Sequence, residues 1–128
     1  HAMFIRCLAE CAEFTAGDHT RLRELLHPDK QPLSIKYSLA HALLAPGESS
    51  TKHCLSGSEV YYIMSGQGRM NIDNESRDVA PGATIYIPPN AVQWIENIGR
   101  EPLIFLCIVD PAWQSEDETV LSDSITGK

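Results

Sequence analysis

The chain has 128 residues, 43% hydrophobic and 21% charged, with a formal net charge of −7. Such a chain forms one globular domain that buries about two-thirds of the surface its unfolded form exposes. The negative balance argues against a nucleic-acid or anionic-membrane partner, and no run approaches the ~20 apolar residues that span a bilayer, so a cytoplasmic protein is expected.

In chain order, His1 and Ala2 precede Met3 and read as a cloning remnant (residues 1–2). Residues 3–34 read as an N-terminal arm. Within it, Asp18 stands as an N-cap ahead of the apolar repeat Leu22, Leu25 and Leu26, and Pro28 follows, so the pattern predicts a short helix over 18–26. The alternative is an extended arm that pairs with another subunit. From Ser38 onward, turn signals such as Pro46-Gly47, Asp73-Asn74, Pro81-Gly82 and Pro88-Pro89-Asn90 interrupt short β-branched and apolar runs. Strands are expected near 35–44, 59–64, 69–73, 84–87, 92–97 and 103–109, with short extra pieces between them. This is an all-β unit over 35–112 with the strand spacing of a sandwich or small barrel.

The segment from Asp110 to Lys128 carries five acids against one base. A polar, acidic tail over 113–128 is expected to fray or lie on the surface. Cys7, Cys11, Cys54 and Cys107 lack C-x-x-C spacing and read as free thiols, with Cys107 a small buried hydrophobe in its strand.

Two blocks carry the chemistry. The first places Gly47, His53, Leu55, Glu59 and Gly66 at fixed intervals, and the second places Gly82, Pro88, Asn90, Gln93 and Asn97. Together they resemble the two motifs of the cupin superfamily, a double-stranded β-helix or jelly-roll-like barrel. In that family the positions of His53, Leu55, Glu59 and Gln93 read His, His, Glu, His. The resemblance covers roughly residues 42–109. It implies that His53, Glu59 and Gln93 converge near one barrel mouth as ligands of a divalent metal (Zn, Fe, Mn or Ni), held weakly or not at all by this reduced set. It also implies a homodimer, since such barrels pair sheet against sheet.

Residues two apart on a strand share a face, so Glu59 and Tyr61 point the same way, while Cys54 and Trp94 point outward. His41 enters the cavity if its face is inward. Three functional readings stand side by side. The first is a small-molecule-binding cupin with its cavity centred on His53, Glu59 and Gln93. The second is a metal-free isomerase or epimerase of a sugar or carbonyl compound, in which an apolar wall raises the Glu59 pKa, His53 is its partner and Tyr61 an acid facing the same cavity. The third is a binding module that leaves its ligand unchanged.

Overall fold

Along residues 103–110, Leu103, Phe105, Cys107 and Val109 are buried while Ile104, Leu106, Ile108 and Asp110 are less so. That two-residue period belongs to a strand with one face inside, and it recurs through the chain. The computed structural model describes residues 3–121. Its strands are β1 (Glu13–Thr15), β2 (Arg21–Leu26), β3 (Ser38–Leu44), β4 (His53–Leu55), β5 (Ser58–Ser65), β6 (Gly68–Ile72), β7 (Glu75–Val79), β8 (Thr84–Ile87), β9 (Gln93–Asn97), β10 (Leu103–Asp110) and β11 (Glu118–Val120). They form a six-stranded sheet of order β1-β2-β3-β10-β5-β8 and a five-stranded sheet of order β11-β4-β9-β6-β7.

Inward side chains of both sheets make one core. Leu44, Ile63, Leu103 and Phe105 come from the first sheet, Met70 and Ile95 from the second. Each such burial contributes roughly 1.5–3 kcal/mol. At one turn only glycine fits: Gly66 has φ +89°, and a Cβ there would lie 2.5 Å from the carbonyl oxygen of Pro102. Asn90, which stands where the family motif has glycine, adopts φ 69°, a left-handed conformation that asparagine tolerates.

The strands expected over the central region are present as β3, β5, β6, β8, β9 and β10. The helix expected over 18–26 is instead strand β2, paired antiparallel with β3 in the same chain. A register shift between Glu24 and Leu26 explains the misleading pattern. The bulge inserts a residue into the alternation, so Leu22, Leu25 and Leu26 imitate a helical stripe. A short 3-10 turn at Leu8–Glu10 precedes the sheet. The tail also differs from expectation. Its residues Glu118–Val120 pair with Leu55, Cys54 and His53 as β11, so part of it is built into the second sheet. Residues 1–2, read as a cloning remnant, and the end of the tail fall outside the described residues.

Candidate ligand and metal site

Strand β4 is only three residues long, and its pattern buries His53 and Leu55 while Cys54 is half-buried between them. Strand β5 turns Glu59, Tyr61 and Ile63 inward by the same alternation. The two segments meet at a cavity of about 300 Å³, whose wall includes His53, Leu55, Glu59, Tyr61, Phe105 and Cys107. The chain's ends complete it: Asp18 and Thr20 from the approach to β2, and Trp113 and Glu118 from the tail.

A hydrogen-bonded chain fixes one side. The Tyr61 hydroxyl donates to Oε1 of Gln93 at 3.0 Å, and Nε2 of Gln93 donates to Oε1 of Glu59 at 2.9 Å. Both ends of the amide are therefore engaged. Burial pushes the Glu59 carboxyl from its ordinary 4.5 up to about 8; the Gln93 hydrogen bond opposes the rise, and the charges of Asp18 and Glu118 add to it. Burial likewise pushes the Tyr61 hydroxyl and the Cys107 thiol well above their usual ranges.

On the other side, Nδ1 of His53 lies 2.7 Å from the carbonyl oxygen of Thr51. A carbonyl only accepts, so Nδ1 carries the hydrogen and Nε2 is left facing Oδ2 of Asp18 at 3.4 Å. Oδ1 of Asp18 accepts from the Thr20 amide at 3.1 Å and the Thr20 hydroxyl at 2.7 Å. The indole of Trp113 donates to Oε1 of Glu118 at 3.1 Å. One ligand atom from each of Asp18, His53 and Glu118 lies within 4.8 Å of the others.

Of the residues singled out in the sequence, His53, Glu59 and Tyr61 line the same cavity. Gln93 is 1% exposed and is paired with His53 across β4 and β9, but its amide backs Tyr61 and Glu59 rather than lining the cavity. His41 lies opposite Leu106 and Arg23, lines a separate surface groove and takes no part in the cavity. Trp94 is half-buried away from it, with Nζ of Lys52 4.6 Å above its ring.

Asp18 and Glu118 were missed. An Asp that accepts from the amide two residues on reads as a helix cap or as an Asx turn, and the sequence signal is the same for both. Glu118 sits in a run, Glu118-Thr119-Val120-Leu121, whose β-branched residues are the trace of β11.

Residues 40–109 match the family model described as the cupin domain, and the chain belongs to that family. It is 43% identical over 109 residues to the uncharacterized protein MJ1618 of Methanocaldococcus jannaschii, covering 84% of this chain and 86% of that protein. Over 59 residues it is 37% identical to a glucose-6-phosphate isomerase of Pyrococcus furiosus, covering 42% of this chain and 31% of the relative. The fold is that of a cupin 2 conserved barrel domain protein from Salinispora arenicola CNS-205, with TM-score 0.74, 22% identity and coverage of 91% and 92% of the two chains.

Proposed function

We propose that this cupin binds a small, uncharged, oxygen-bearing molecule in the cavity between His53 and Glu59 and presents it with a neutral carboxyl. The observation that carries the reading is the Tyr61–Gln93–Glu59 chain. It holds the Glu59 carboxyl in one orientation on an apolar wall formed by Leu55 and Phe105, where burial keeps it protonated at neutral pH. A neutral carboxyl donates a hydrogen bond to a carbonyl or hydroxyl oxygen and is a competent general acid. Without a bound ion the wall also carries Asp18, Glu118 and a Glu24–Lys30 ion pair with its N···O at 2.6 Å, so its charge excess is negative and disfavours a free anion. The volume suits a ligand at the small end of the usual range.

A second reading, isomerisation or epimerisation of a sugar or carbonyl compound by Glu59 and His53, is supported by their common cavity and by the partial match to an isomerase. Thermal-shift and calorimetric screening of small aldoses, ketoses and keto compounds tests both. Binding kept in Glu59→Gln, whose amide is also a neutral donor, and lost in Glu59→Ala supports the first reading. Proton exchange at a substrate carbon, seen by deuterium uptake in the wild type and absent in Glu59→Gln, supports the second. A library without binders counts against both.

The family's metal is poorly matched by His53, Glu59 and Gln93, because the Gln93 amide is engaged at both ends. The homodimer is supported by the outer face of the six-stranded sheet, where Tyr62, Met64, Tyr86 and Ile108 are exposed in one apolar patch. No helix among the described residues is long and apolar enough to cross a membrane. The net charge of −7 favours a small-molecule partner over a nucleic acid.

A further inference from the structure

Nδ1 of His53 is taken by the Thr51 carbonyl, so in the neutral ring Nε2 turns a lone pair toward Oδ2 of Asp18, at 2% and 7% residue exposure. Two acceptors in this arrangement favour a cation between them. A shared proton draws nitrogen and carboxylate oxygen to about 2.7–2.9 Å. The observed 3.4 Å is longer, and it is the separation of two ligands on one tetrahedral ion with bonds of about 2.0–2.1 Å.

Glu118 supplies a third donor. One oxygen of its carboxylate is taken by the Trp113 indole, which leaves the second available. Each of the three side chains is oriented by a partner behind it: the Thr51 carbonyl on His53, the Thr20 amide and hydroxyl on Asp18, and the indole on Glu118. Outer hydrogen bonds of this kind are how proteins aim metal ligands.

We propose that Asp18, His53 and Glu118 form a divalent-cation site in place of the motif positions. One imidazole and two carboxylates suit zinc, manganese or iron, with the remaining positions open to water or to the ligand of the cavity. Two positions that hold imidazoles in the cupin motif are Leu55 and Gln93 here, and segments near the chain's two ends supply carboxylates beside His53. The inference rests on the cavity reading but not on proton exchange at Glu59. With an ion on Nε2, His53 is not a base, so the ion site and the metal-free pairing of His53 with Glu59 are alternatives. A bound ion ties the loop before β2 to β4 and β11.

The test is calorimetric titration of EDTA-stripped protein with Zn²⁺ at neutral pH, with no organic ligand present, on the wild type and on Asp18→Asn, Glu118→Gln and Glu59→Gln. Circular dichroism checks folding, and Glu118→Gln decides the matter where Asp18→Asn unfolds. One site per chain is expected, weakened at least tenfold in Asp18→Asn and Glu118→Gln and within twofold of wild type in Glu59→Gln. The proposal is overturned by a wild type that binds no Zn²⁺, by binding that all variants keep, as adventitious thiol sites give, or by loss in Glu59→Gln alone. Because the titration contains no organic ligand, the first two outcomes leave small-molecule binding at Glu59 standing, whereas loss in Glu59→Gln alone makes Glu59 a metal ligand and counts against its neutral form.

Discussion

Gln93 donates to Glu59 at 2.9 Å while it accepts from Tyr61 at 3.0 Å, so one amide joins strands β5 and β9 and fixes the acid that faces the cavity. A glutamine holds both bonds at once because it has a donor and an acceptor in fixed geometry. The same position as histidine offers its ring nitrogens to a metal. Where the cupin motif has histidine, this chain therefore has a side chain that holds Glu59 and Tyr61 together.

The first prediction concerns Tyr61. Tyr61→Phe removes the donor to a buried amide oxygen and leaves it without that partner, at a cost of about 1–3 kcal/mol. Urea unfolding of the two proteins measures the difference. Equal midpoints would mean that the hydroxyl contributes nothing to holding Gln93.

Stability should depend on pH through Glu59. Its ordinary pKa is 4.5 and its folded-state value about 8, so between these limits the folded form binds a proton that the unfolded form has released. The contribution is fully present below about 4.5 and is lost progressively as pH rises to about 8, at a slope of up to ~1.4 kcal/mol per pH unit. Thermal unfolding in EDTA across this range checks it. In Glu59→Gln the slope should flatten, since the amide stays neutral throughout.

Leu55 lines the cavity and lies opposite Glu118 in the β4–β11 register. Leu55→His places a second imidazole beside the proposed ion. An increase in Zn²⁺ affinity of about tenfold or more is expected, equivalent to roughly 1.4 kcal/mol. An unchanged affinity in a folded variant would separate Leu55 from the ion.

Much of the barrel was legible because its strands alternate strictly and its turns carry glycine, proline and asparagine where the backbone needs them. Gly66 and Asn90 show this directly, since both adopt left-handed conformations at motif positions. His53 and Glu59 were legible through the resemblance of their block to the cupin motif, and both lie on inward faces of β4 and β5. Strand β2 was not, because its bulge gives Leu22, Leu25 and Leu26 a helical spacing and the pairing with β3 is a long-range contact that no local pattern carries. Asp18 and Glu118 were hidden for a related reason. They come from opposite ends of the chain, and only closure of both sheets brings them to His53.

The exposed patch on the first sheet gives a prediction of assembly. If two copies meet there, light scattering coupled to gel filtration should report a dimer for the wild type and a monomer for Tyr62→Glu. Tyr62 is 45% exposed, so the substitution should change the fold's own stability by only about 0.5 kcal/mol. A wild-type monomer would contradict the interface.

The central claim is that the cavity presents a neutral carboxyl to its ligand, and direct titration of Glu59 tests it. EDTA-stripped protein carrying ¹³C at the glutamate side-chain carboxyls is followed by NMR from pH 4 to 10, with Glu59→Gln used to assign the resonance. A midpoint near 8 is expected. A midpoint near the ordinary 4.5 would show an ionised Glu59 at neutral pH and would contradict the account of the cavity as a hydrogen-bond-donating, acid-bearing site.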